Sequence, residues 1–193
     1  MFKAKRRTVV TATAVAAVLL GGALAVTLLT QGKGSGSNAS DGIVEYQPGQ
    51  RPLAPNVTGA SLTGSNIKLS SYRGKTVVLN FWGSWCPPCR AEAPTLQVLN
   101  EQYSSKGVTF LGDDVGDTPA NALAFTRSDS ITYPSFSDNG YLIVADFSDV
   151  GVAVNDTPTT VVIDKTGHVA GLILGGASYG QLTTLINDAA VTQ

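Results

Sequence analysis

The stretch "TVVLNFWGSWCPPCRAEAP", residues 76–94, holds both cysteines of this 193-residue chain and a change of pattern between its two halves. Thr76 to Trp82 form a short, largely apolar run rich in β-branched residues, without the alternation of a one-sided strand, as expected of a central strand buried on both faces. From Pro87 onward, Ala91, Ala93, Leu96, Val98, Leu99 and Tyr103 suit a helix running to about Ser104, with a kink predicted at Pro94. A strand, a short loop and a helix therefore place Cys86 at a helix N-terminus and Cys89 one turn further in.

The rest of the chain extends this unit. Gly107 ends the helix, "VTFLG" (108–112) reads as a second buried strand, and Thr118-Pro119 opens another helix that ends near Ser130. An irregular stretch follows. "TTVVIDKTGHVAGLIL" (159–174) then reads as two strands around Lys165-Thr166-Gly167, and Ser178 to Ala190 as a closing helix with Leu182, Leu185 and Ile186 inward. Upstream, two short β pieces, Val57–Leu62 and Ile67–Leu69, flank the turn Thr63-Gly64-Ser65. Strands alternating with helices, closed by a hairpin, indicate an α/β fold with a central mixed sheet flanked by helices.

Composition and charge separate the chain into parts. Only 14% of residues are charged, low for a cytosolic protein. Lys3, Lys5, Arg6 and Arg7 are four of its 13 basic residues, and no acid precedes Asp41, so the chain after Arg7 carries nine basic residues against 14 acidic ones. That mildly acidic body lacks the basic face a nucleic-acid partner requires. Residues 1–30 read as a transmembrane anchor, N-terminus inside, or as a signal peptide cleaved near Ala25, because a basic start precedes an apolar run from Thr8 to Leu29. Both readings put the rest of the chain on the extracytoplasmic side. Residues 31–47, Gly/Ser-rich at first, read as a flexible linker with a reach of ~25 Å, and residues 48–193 as the folded domain.

The two cysteines admit several chemistries. A Cys86–Cys89 bond closes too short a loop to act as a staple. Zinc needs four ligands, and His168 is the only histidine available to join the pair. Two soft thiolates could clip Cu(I), although Met1 and His168 are the only other soft or imidazole donors. A redox role has a positive mechanism. The unpaired amides and dipole of a helix N-terminus stabilise a Cys86 thiolate, the attacking species in disulfide exchange, and Cys89 then resolves the mixed disulfide. Pro87 and Pro88 fix the loop and remove two amide donors from it. Trp85 is expected partly exposed beside Cys86, and Trp82 buried. "GDDVGD" (112–117) lacks the ligand spacing of a calcium loop and reads as a solvated loop; His168 is expected exposed.

"NFWGSWCPPCRAEAP", "GKTVVLNFW" and "DTPTTVVIDKTGHV" together closely resemble the membrane-tethered thioredoxin-like reductases of the TlpA/ResA type, over about Pro48 to the C-terminus. The resemblance implies a thioredoxin-like fold with an N-terminal β extension and an inserted segment. It implies that Pro158 is a cis-proline facing the cysteines and that Thr157 offers backbone to an incoming extended peptide. Glu92 falls one turn beyond Cys89, where the family's acid tunes the pair; Asn80 stands where ordinary thioredoxins carry a buried, titrating Asp. The substrate-contact set is then Trp85, Pro87, Pro88, Thr157 and Pro158, with Cys86, Cys89 and Glu92 catalytic. No cofactor is expected beyond the Cys86–Cys89 dithiol/disulfide. The implied activity is reduction of disulfides in exported proteins, for example in cytochrome c maturation, with electrons from a membrane thiol reductase and the protein a monomer. A disulfide-forming oxidant or isomerase, and a Cu(I)-binding module, are the alternatives.

Overall fold

The structure, a computed structural model, describes residues 37–40, 42–154 and 156–190. The predicted anchor or signal segment and residues 31–36 of the predicted linker lie outside the described residues. No helix among the described residues is long and apolar enough to cross a membrane.

The elements are β1 (Ser37–Ser40), β2 (Ile43–Tyr46), β3 (Thr58–Ala60), β4 (Asn66–Lys68), β5 (Thr76–Trp82), α1 (Pro87–Tyr103), β6 (Val108–Val115), α2 (Pro119–Ser128), β7 (Ser135–Asp138), α3 (Leu142–Asp149), β8 (Thr159–Ile163), β9 (Val169–Leu174) and α4 (Tyr179–Ala190). Seven strands form one sheet in the order β1-β2-β9-β8-β5-β6-β7, and β3 pairs with β4 as a separate hairpin. β5, β6 and β7 run parallel, and the other pairings are antiparallel. β5 has the bounds its apolar run predicts and all seven of its residues are buried, because it lies between β6 and β8 with a packed layer on each face. Leu79 and Phe81 join Leu111, Phe136 and Phe147 in one core. Val78, on the opposite face, joins Leu96 and Leu99 of α1 and Leu182 and Ile186 of α4. The mixed sheet flanked by helices matches the expectation from sequence.

Three stretches differ from their sequence reading. Residues 43–46, placed in the linker, form β2 and pair with β9, so the sheet begins before Pro48. Gly42 permits the approach: its φ is +78°, its carbonyl accepts from Leu174 N, and a Cβ there would sit 2.9 Å from the Leu174 carbonyl oxygen. The unpaired edge of β9 and the β-branched Ile43-Val44 outweigh the Gly/Ser-rich flank. "GDDVGD" is not a solvated loop. β6 continues through Val115 because β5 and β7 pair with it on both sides, and Asp113 and Asp114 are fully buried. The stretch after Ser130, read as irregular, contains β7 and α3. Asp138 orders the junction by accepting the N–H groups of Leu142 and Ile143 on its two carboxylate oxygens, each at 2.8 Å.

Candidate active site

β5 delivers the chain to the loop Gly83–Trp85, and Cys86 caps α1. Cys86 and Cys89 are joined in a disulfide with Cα atoms 5.3 Å apart, an ordinary spacing for such a bond. Cys86 Sγ accepts the Cys89 amide at 3.2 Å. Pro87 and Pro88 are exposed at the first two helical positions and have no N–H to offer. The loop is fixed from several sides. Ser84 N donates to Asp117 Oδ2 at 3.0 Å, an Arg90 Nη donates to the Ser84 carbonyl, and the Arg90 guanidinium lies over Phe125, which stacks on Trp82. The pair, Trp82 and Phe125 thus form one small packed cluster with Ala93 and Ala122.

The other predicted residues converge on this disulfide. The Thr157–Pro158 peptide is cis, and the Thr157 carbonyl oxygen lies 3.6 Å from Cys86 Sγ. Trp85 is 54% exposed, with its Nε1 donating to the Val115 carbonyl. Trp82 is buried. Cys86 is itself only 3% exposed, with Trp85 beside it in the chain and the Thr157 carbonyl at its sulfur.

Glu92 is buried inside the fold rather than on its surface. Asn80 donates to Oε1 at 2.8 Å and Ala177 N to Oε2 at 2.7 Å, while Asn80 donates also to Thr160 Oγ1. Burial pushes the Glu92 carboxyl up to about 7, against the two hydrogen bonds that favour its ionised form. It borders a surface pocket of ≈ 270 Å³ between α1 and the 176–178 turn. A group poised near neutrality, one turn from Cys89, is suited to take up or release the thiol proton. Sequence reasoning found Glu92 and Asn80 but missed Thr160, Ala177 and Asp117, which carry no motif and meet the site only through the fold.

Further acids and one tyrosine are shifted by their surroundings. Asp113 is held well above the carboxylate range, and Asp114 at about 7, by burial and by neighbouring acids. Tyr133 packs on Phe110 in the core, and its hydroxyl is pushed upward by burial and by the nearby Glu92 carboxylate. His168 is half-buried, with Nδ1 at 2.8 Å from Thr166 Oγ1. Among the described residues no group of three or more His, Cys, Asp or Glu side chains is placed to hold a metal ion.

Comparison with known proteins agrees with this geometry. The AhpC/TSA family model matches residues 51–171. A thiol-disulfide oxidoreductase ResA of Bacillus cereus is 36% identical over 129 residues, 67% of this chain and 72% of that protein. ResA of Bacillus subtilis is 29% identical over 134 residues, 69% of this chain and 72% of that protein. Among solved structures, a secreted thiol-disulfide isomerase from Corynebacterium glutamicum superposes with a TM-score of 0.72 at 29% identity, covering 80% of this chain and 99% of the other. A DsbF homologue from Corynebacterium diphtheriae superposes at 0.71 with 32% identity and the same coverage. The sheet and helices described above are therefore a thioredoxin-like fold.

Proposed function

This chain belongs to the AhpC/TSA family and is a thiol-disulfide oxidoreductase, and we propose that it works outside the cytoplasm in the reducing direction, on disulfides of exported proteins. The observation that carries the direction is the poor support for a thiolate at the pair. Cys86 Sγ receives one backbone amide, from Cys89, where Pro87 and Pro88 have none to give. Glu92, buried one turn from Cys89, opposes a second negative charge. A strong oxidant of this chemistry draws its power from a stabilised reduced form; here the support for a thiolate is limited to the helix dipole and one amide.

In the proposed cycle the Cys86 thiolate attacks one sulfur of a client disulfide. A Cys86–client bond forms and the first client thiolate leaves. Cys89, its proton passed to Glu92, attacks Cys86 Sγ and expels the second client thiolate. The client thiolates take up two protons, two electrons have moved to the client, and the Cys86–Cys89 disulfide remains. A membrane thiol reductase returns two electrons as a dithiol, and the apolar N-terminal segment keeps the domain near that donor. The cysteines of a cytochrome c haem site are a fitting client. The test is trapping in cells. Cys89→Ala strands the mixed disulfide, and exported proteins should appear as adducts that collapse with reductant and vanish when Cys86 is also replaced. Absence of adducts overturns the reading. The solved relatives named as an isomerase and a DsbF homologue keep one second reading, a disulfide donor or isomerase on the same site.

A further inference from the structure

The exposed ring next to Cys86 shares its backbone support with a residue of the segment between β6 and β8. Trp85, Tyr141 and Leu142 are 54, 49 and 71% exposed. The first two lean on the same short stretch of backbone, since Trp85 Nε1 bonds the Val115 carbonyl and the Tyr141 hydroxyl packs against Gly116, leaving no room there for a Cβ. Leu142 follows Tyr141 directly and begins α3. Ile143 and Phe147 turn into the core, which leaves Leu142, Asp146 and Asp149 on one exposed helical face at i, i+4 and i+7. The chain beyond α3 returns to the pair at Thr157, past the exposed Asp156. None of these three carboxylates takes part in an ion pair among the described residues. Of the nine aspartates in residues 107–164, five are buried and Asp129 pairs with Arg90, so Asp146, Asp149 and Asp156 are the ones that present free charge at the surface.

We propose that the face formed by Trp85, Tyr141, Leu142, Asp146 and Asp149, continued by Asp156, docks an extended client segment with an apolar residue beside its disulfide cysteine and basic residues following it. The occupant is argued from charge complementarity and from position. In the docked complex the client backbone lies along Thr157, whose carbonyl stands at the sulfur of the 3%-exposed Cys86, and its neighbouring side chains then meet this face. Exposed carboxylates in one field favour a basic partner chiefly through encounter rate, and the preference is screened by salt. The proposal deepens the thiol-exchange reading above and rests on it: the same two electrons pass from the reduced pair to the peptide disulfide, giving two peptide thiols.

The experiment uses the full-length protein, reduced and freed of reductant, and three peptides as disulfide-linked dimers: Leu-Cys-Lys-Lys, Leu-Cys-Glu-Glu and Gly-Cys-Lys-Lys. The rate of Cys86–Cys89 disulfide formation is read by acid quench and alkylation. Each rate is divided by that of dithiothreitol on the same peptide, which removes intrinsic reactivity. The normalised rate should favour Lys-Lys over Glu-Glu by about tenfold at low salt and collapse toward unity as salt shortens the Debye length. It should fall several-fold from Leu to Gly. Asp146→Asn with Asp149→Asn should at least halve the charge preference. Equal normalised rates, or a preference indifferent to salt and to the double substitution, overturn the proposal while leaving thiol exchange intact. Failure to react even with hydroxyethyl disulfide instead brings down the thiol-exchange reading, and this proposal with it.

Discussion

Replacing Glu92 by Gln removes a titrating carboxyl buried one turn along α1 from Cys89. Glu92 and Cys89 are three residues apart on α1, so their Cβ atoms are ~5–6 Å apart. Two charges ~6 Å apart at an effective dielectric of ~20 repel by ~3 kcal/mol, or ~2 units of pKa. In the reduced protein the carboxyl, already near 7 through burial, and the Cys89 thiol therefore titrate as a coupled system. The assay is thiolate ultraviolet absorbance against pH, compared between wild type and Glu92→Gln. The variant should lose the carboxyl-coupled step, and its Cys89 transition should move down by ~1–2 units. Stability carries a second signature. The folded carboxyl sits at about 7 against an ordinary 4.5, so the native state holds the proton more tightly than the unfolded chain. Glu92 must then make wild-type stability fall as pH rises from about 4.5 through 7, by up to ~3 kcal/mol, and the variant should lose that share of the slope while keeping the share due to Asp114. Superimposable absorbance titrations refute the reasoning, because a carboxyl that does not feel the thiol cannot serve it.

The remaining predictions concern the frame that holds the site. Asp114, buried without a hydrogen-bond partner among the described residues and raised from 3.8 to about 7, makes wild-type stability decline with pH across that window; Asp114→Asn should flatten the decline and gain ~1–3 kcal/mol at pH 8 in urea denaturation. Arg51 and Asp164 form a buried ion pair at 3.0 Å, and Arg51 also donates to the Asp188 carbonyl. Arg51→Ala removes the charged partner of a buried carboxylate that keeps its bonds from Thr166 and His168 and should cost ~2 kcal/mol, whereas a loss under ~0.5 kcal/mol in the same assay is incompatible with the pair bearing on stability. A Cβ at Gly112 would run into Ser135 Oγ and Trp82 Nε1; Gly112→Ala should therefore lower the urea midpoint by an amount worth ~1–3 kcal/mol.

How far the sequence could be read depended on how local the deciding interactions are. β5 and α1 declare themselves because a largely apolar, β-branched run and a helical repeat are patterns within one segment, and Cys86 falls between them. The cis Thr157–Pro158 peptide was reached through family resemblance; nothing in those two residues alone distinguishes it from a turn. Asp113 and Asp114 misled because paired aspartates favour loops by composition. Only the pairing of β6 with strands on both sides, one from an unpredicted β7, draws them inside. β2 failed for a related reason: four strand-forming residues after a Gly/Ser-rich tract gain their structure from the free edge of β9, which lies far along the chain. Glu92 was readable as a neighbour of Cys89 on the helix. Its buried anchorage by Ala177 N was not, because that partner comes from the turn before α4.

The central claim is that this pair is a reductant because its thiolates are poorly supported. The reduction potential of Cys86–Cys89, equilibrated against defined thiol buffers, tests it most directly. The account predicts about −250 mV or lower, alongside reducing thioredoxin-type couples. A value near about −120 mV marks a strong oxidant with a stabilised reduced form, and would make the protein a disulfide donor on the same fold.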